Sequence, residues 1–265
     1  MASALRPNRL KLSTLRTGII EGWRLANATR TVSFAYAFVF AAIGAVIIAA
    51  LLAAGLTPFV VAAAGAFMLV GPILLAGFFG IASAHEGGER VRPAAIAEGF
   101  RRAAPSVWVL ALVCALLFMI FITDAAILYS YMVGGAPVWL GALLPAQAGV
   151  LRFVLWASVS GLVVAVMLFA VAAFAVPLLC ERRAGLVDAV VASVRIVFGN
   201  FLVAMTWGLV LSVVIVGSIL LLPLLPLTLP WLAFASRSVY RQAIPPGSAI
   251  DFDGAPVVPD NGGKT

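Results

Sequence analysis

Six long apolar runs, separated by short polar segments, organise the chain: residues 31–54, 59–84, 106–132, 151–180, 201–222 and 227–242. Runs of about 20 predominantly apolar residues are long enough to cross the hydrocarbon core of a bilayer as helices. The pattern therefore predicts an all-α polytopic membrane protein with six transmembrane helices. Pro72, Pro177 and Pro230 recur in the second, fourth and sixth runs. Proline is tolerated in such helices because neighbouring groups re-satisfy the freed carbonyl. The three mark either packed kinks or helices broken at a transport site.

The segments between the runs carry a second pattern. Residues 13–30 predict a short amphipathic helix with Leu15, Ile19, Trp23 and Ala26 on its apolar face. Residues 94–104 and 186–200 read the same way. Gly55–Pro58 and Pro223–Pro226 are turns, as glycine and proline dictate. Residues 133–150 hold no charge and form an apolar outer loop. Three short interfacial helices, each followed by a hairpin of two spans, would divide the chain at about 13–84, 94–180 and 186–242. Glu21–Arg24 (EGWR), Glu98–Arg101 (EGFR) and Ala192–Arg195 (ASVR) each sit just ahead of a span. This is a same-direction threefold repeat, or a coincidence of similar interfacial chemistry; it differs from the inverted repeats of many transporters. Stripes of small residues at four-residue spacing, Ala41–Ala53, Ala76–Ala84 and Ala157–Ala165, predict close helix approach in lipid. The domain division is a basic tail (1–12), a six-helix transmembrane domain (13–242) and a disordered tail (243–265) rich in Pro, Gly and Asp.

Composition agrees: 64% of the 265 residues are hydrophobic and 10% charged, against about 25% charged in a soluble domain. The net charge of +7 comes from short segments beside the apolar runs. That placement fits topology and anionic headgroups rather than a nucleic-acid-binding face. Lys and Arg number six in residues 1–30, four in 85–105, three in 181–199 and three at the C-terminal end, with Arg152 alone on the other side. With six spans the four basic segments share one side, which the positive-inside rule makes cytoplasmic. Both termini are expected there. The polar stretch to Arg30 and the length of the first run predict a retained span, not a cleaved signal peptide.

Chemistry is sparse. His85 is the single histidine and lies in a polar loop, so neither a bis-histidine haem nor a metal centre is expected, and no cofactor is assigned. Cys114 and Cys180 fall at different depths and predict two unpaired thiols. No GxSxG, HExxH, P-loop or CxxC pattern occurs, and no enzyme activity is expected. Ionisable residues inside spans are functional candidates by default. Two qualify: Asp124, late in the third span, and Arg152, opening the fourth. They form a candidate intramembrane charge pair, serving either as a proton or substrate site or as a structural pair fixing the helix ends.

Glu21–Arg24, residues 67–89 (FMLVGPILLAGFFGIASAHEGGE), residues 169–200 (FAVAAFAVPLLCERRAGLVDAVVASVRIVFGN) and Met205–Gly208 (MTWG) together resemble a family of bacterial integral-membrane proteins of unknown function. Some of its members are labelled putative cytochrome c oxidase subunit I. The resemblance covers roughly 15–242 and departs at CERRAG (180–185), where the family is usually acidic. It implies a six-helix inner-membrane protein and carries over no site residues. A catalytic oxidase subunit needs several histidine ligands, so the label leaves only an accessory place beside a respiratory complex. Two function classes follow: a non-enzymatic scaffold or assembly partner of a membrane complex, and a transporter or channel for a small or lipidic solute. The expected partners are the lipid bilayer and other membrane proteins.

Overall fold

The structure is a computed structural model and describes residues 4–5, 10–56, 59–60, 71–133, 148–245 and 249–250. Residues 134–147, expected as an outer loop, residues 61–70, expected in the second span, and the residues from 251, expected as a tail, lie outside the described residues. The elements, in chain order, are β1 (Ala4–Leu5), α1 (Leu12–Ala28), α2 (Arg30–Ala53), α3 (Gly71–Glu86), α4 (Ala94–Arg102), α5 (Ser106–Val133), α6 (Ala148–Ala172), α7 (Ala175–Cys180), α8 (Leu186–Gly199), α9 (Phe201–Leu220), a 3₁₀ turn at Leu222–Leu224, α10 (Leu225–Ala243) and β2 (Ala249–Ile250). The two strands are a two-residue parallel pairing of the chain's ends, Ala4 with Ala249 and Leu5 with Ile250.

Among the described residues, four helices are long and apolar enough to cross a membrane: Arg30–Ala53, Ser106–Met132, Leu151–Cys180 and Phe201–Ile219. Their outer surfaces are apolar, with Val46, Ile120, Leu162 and Leu209 largely exposed. α10 differs. It carries Arg237 and Arg241, yet most of its residues are buried, because α1, α2, α3 and α9 pack around it. A helix enclosed by protein does not need a lipid-compatible surface, which is why its sequence is the least apolar of the expected spans.

Two of the three short helices pack by unusually close backbone approach. α1 lies along α10, where a Cβ on Gly22 would stand 2.5 Å from the Ala235 nitrogen. α4 lies on α3, where a Cβ on Gly99 would collide with the Ala76 carbonyl oxygen and one on Gly80 with that of Ala95. This geometry rotates α1 from its expected face. Leu15, Gly18 and Gly22 are buried, whereas Trp23 is 53% exposed and meets Trp231 edge-on at 5.8 Å. Contact of two backbones outweighed burial of the large ring. Leu10, expected in the basic tail, is also buried, and its N–H donates to Asn200 Oδ1 at 3.0 Å.

α8 packs on α6 and α7 through a side chain instead. The fourth span breaks at Ala173–Phe174, ahead of Pro177. Proline clashes with the turn before it and supplies no N–H. The Phe174 N–H and the Ala170 carbonyl would pair in an unbroken helix. Here the Ser193 hydroxyl stands between them, accepting from Phe174 N at 3.1 Å and donating to Ala170 O at 2.7 Å. Ser193 is fully buried. Ser193→Ala should leave both groups unsatisfied and lower stability by about 1–2 kcal/mol. An unchanged melting temperature in detergent would show that the helix closes without the hydroxyl.

The small-residue stripes behave unequally. Ala76 and Gly80 make close contacts, and a Cβ added at Gly161 would stand 3.2 Å from the Phe121 ring. Of the stripe in α2 only Ala41 is buried; Ala49 and Ala53 are exposed, because this helix packs mainly through Ser33, Tyr36, Ala37 and Ala41 near its start.

Candidate functional site: a charge cluster at the basic end

Glu86 ends α3, Glu181 follows α7, and Arg237 and Arg241 lie one turn apart near the end of α10. These four side chains meet. Arg237 is 3% exposed and grips Glu86 with two hydrogen bonds, Nη1 to Oε1 at 2.5 Å and Nη2 to Oε2 at 2.9 Å. Parallel arginine–carboxylate bonds of this kind fix orientation as well as charge. Arg241 bridges both acids, from Nη1 to Glu86 Oε1 at 3.0 Å and from Nη2 to Glu181 Oε1 at 3.0 Å. Tyr240 donates to Glu181 Oε2 at 3.1 Å, and Arg183 donates to the Tyr240 hydroxyl and to the Ile244 and Pro245 carbonyls. The cluster thus ties the ends of three helices together.

Arg237 keeps one unmet donor. Its Nε is buried without a hydrogen-bond partner, 3.9 Å from Glu181 Oε1. Its guanidinium lies 5.4 Å from the Phe79 ring centroid, a cation–π distance. Burial works against ionising Glu86, but the hydrogen bond and charge of Arg237, with Arg241 behind them, outweigh it. The carboxyl is held below its ordinary value. On the surface nearby, Glu98 is also lowered, first by its hydrogen bond from Arg102 and then by the charge of Arg101.

Beside the cluster a polar pocket of about 600 Å³ opens between the ends of α3, α4 and α7. Arg101, Arg102, Arg182 and Arg241 line it together with Glu98 and Glu181. Arg182 has a left-handed backbone, φ 52°. It occupies the position after α7 that usually belongs to glycine, while Arg183 N–H bonds back to Leu178 O at 2.9 Å. Its side chain caps the neighbouring helix α4, donating to the Arg102 carbonyl at 2.7 Å and the Arg101 carbonyl at 3.1 Å. Farther into the bundle lies a separate apolar cavity of about 200 Å³, bordered by Leu75, Phe78, Val176, Leu168, Trp207 and Leu232 among others.

The pair expected from the sequence is not brought together. Asp124 and Arg152 are both exposed, and no ion pair joins them. The reason is the register of α5 against α6. Tyr129 meets Phe153 and Phe121 meets Gly161. That register sets Asp124 level with Ser158, six residues from Arg152, or about 9 Å at 1.5 Å per residue. Cys114 and Cys180 are buried free thiols. His85 lies at the end of α3, next to Glu86 but outside the cluster's hydrogen bonds.

The sequence pattern singles out none of Glu86, Glu181, Arg237 and Arg241 as a site residue. Their partners are 60 to 155 residues away, and pairing at that distance leaves no local trace. One signal existed: acids stand at the ends of the second and fourth runs, and arginines at the end of the sixth.

Residues 59–181 match the model of a family described as predicted integral membrane protein (DUF2189). Over this stretch the similarity is to an integral-membrane family of unknown function, as the sequence motifs implied. No curated protein and no solved structure matches the chain significantly.

Proposed function

We propose that this integral membrane protein resides in the bacterial inner membrane, crosses it six times with both termini cytoplasmic, and serves as a non-enzymatic scaffold or accessory partner of a larger membrane complex. The observation that carries the reading is a contrast of surfaces. Interior contacts at the basic end are rigid, built from backbone-to-backbone glycine packing and a closed ion-pair cluster. The outward faces of the long helices are broadly apolar, with α2 least covered by its own chain. A hydrophilic solute needs a polar path through the middle of the bundle, and the mid-bundle cavity is lined by apolar side chains.

Support for three repeated units comes from equivalent contacts. Gly22, Gly99 and Ser193 occupy the same place in EGWR, EGFR and ASVR, and each touches the backbone of a different span, at Ala235, Gly80 and Phe174. Six or seven residues beyond those contact points stand Arg241, Glu86 and Glu181, three of the four members of the charge cluster. Support for the orientation comes from the gathering of Arg101, Arg102, Arg182, Arg183, Arg237 and Arg241 at one end, with Arg152 at the far end of α5's partner helix. A reporter fused at Lys264 should read cytoplasmic, and one inserted within 133–150 should read periplasmic. A periplasmic readout at Lys264 would end the six-span reading.

A second reading, a carrier for a lipidic solute, is favoured by the apolar cavity itself. Purification from native membranes in mild detergent followed by native mass spectrometry separates the two. A stoichiometric complex of fixed mass is the expected result. A lone chain that moves lipid between vesicles after reconstitution would favour the carrier.

A further inference from the structure

We propose that the polar pocket at the basic end binds the phosphate group of an anionic membrane lipid, with acyl chain accommodated in the apolar cavity deeper in the bundle. This goes beyond the scaffold reading and holds whether or not a protein partner exists.

The first support is the balance of charge and donors. Four arginines and two glutamates line the pocket, and both glutamates are already paired, Glu98 with Arg101 and Arg102, Glu181 with Arg241. A guanidinium carries five N–H donors in a planar fork suited to phosphate oxygens. Arg101 donates only to Glu98, through Nη2, and Arg102 only through Nε. Arg182 donates through Nε and Nη2 to carbonyls, which leaves Nη1. Several charged donors therefore face an open pocket with no acceptor of their own, and a group with three or four anionic oxygens answers that deficit.

The second support is the backbone of Arg182. A left-handed conformation at a non-glycine residue is strained, and glycine would serve the turn without that strain. The strained position holds the guanidinium on the rim, where it cancels the carbonyl end of α4. That end would otherwise repel an anion.

The third support chooses a lipid over free phosphate. Pocket and cavity share two helices. α3 gives Phe79, Gly80 and Ser83 to the pocket and Leu75 and Phe78 to the cavity; α7 gives Cys180 to the one and Val176 to the other. Four residues of helix separate Cys180 from Val176, about 6 Å. A charged recess one turn from an apolar one is matched by a molecule with an anionic head and a hydrocarbon tail.

The test uses the full chain in an uncharged detergent, with the melting temperature followed during titration. The probes are dioleoyl phosphatidic acid, dioleoyl phosphatidylcholine, dihexanoyl phosphatidic acid and inorganic phosphate. The long-chain phosphatidic acid should raise the melting temperature saturably. Phosphatidylcholine and inorganic phosphate should fail to do so at the same concentration, and the short-chain acid should bind at least tenfold more weakly than the long. R101Q/R102Q, at two exposed positions, should melt like the parent without lipid and bind the long-chain acid at least tenfold more weakly. Equal shifts with phosphatidylcholine would overturn the headgroup assignment. Equal binding of phosphate, or of the short-chain acid, would overturn the role of the cavity. Undiminished binding by R101Q/R102Q would overturn the pocket as the site.

Discussion

Gly80→Ala should cost the folded protein about 3 kcal/mol or more, one methyl group having no room to go. Overpacking of a core by a methylene typically costs about 1–3 kcal/mol, because flexible side chains move aside. Here nothing flexible is in the way. The new Cβ would overlap the Ala95 carbonyl oxygen and lie 2.6 Å from the Gly99 Cα, both backbone atoms of α4. The helix would have to lift off α3, and Gly99 faces the same problem in reverse, 2.9 Å from the Gly80 Cα. Gly44 supplies the control. It lies in α2, and a methyl group added there would meet nothing within 4 Å, so Gly44→Ala should be neutral or gain up to about 1 kcal/mol from helix propensity. Thermal melting in detergent ranks the two. A Gly80→Ala variant that melts with Gly44→Ala would mean that α4 is not seated on α3 as described.

The difference between those two glycines was not visible in the sequence. Gly44 lies beside a regular stripe of small residues and is open to its surroundings; Gly80 belongs to a shorter stripe and contacts backbone. Hydropathy reports how a residue partitions between water and lipid, so it located the long apolar helices and the amphipathic connectors. It says little about whether an apolar face meets lipid or protein, since both are equally welcoming to alanine. Trp23 illustrates the consequence: the period of apolar positions put it inward, and the close fit of Gly22 on Ala235 turned it outward. Asp124 and Arg152 illustrate another. Being on consecutive helices made a pair plausible, but register is set by packing such as Tyr129 on Phe153, not by chain order. The charge cluster was the least legible part, because what marks Arg237 is burial among three helices and not its neighbours in sequence.

Glu86→Gln should destabilise the protein by about 2–3 kcal/mol, and adding Arg237→Met should restore much of the loss. Breaking a buried ion pair from one side typically costs about 3–5 kcal/mol, because a charge is left without its partner; replacing both sides by apolar groups is often neutral. The lower figure applies because Glu86 is 43% exposed, so water and salt screen it, whereas Arg237 is sealed in. With Glu86 neutralised, Arg237 retains only Glu181 at 3.9 Å, a distance without a hydrogen bond. Methionine in its place carries no charge and can still pack on Phe79. The double variant should therefore be more stable than Glu86→Gln alone, the signature of coupling between contacting residues. Acid gives an independent reading of the same bond. The folded carboxyl is held below its unfolded value of about 4.3. Its contribution is thus complete above that pH and is lost as pH falls through the lowered folded value. Melting temperatures taken from pH 7 down to about 3 should fall more steeply below about pH 4 in the parent than in Glu86→Gln/Arg237→Met. Parallel acid profiles, or a double variant no more stable than the single, would show that Arg237 is held by the surrounding packing and not by Glu86.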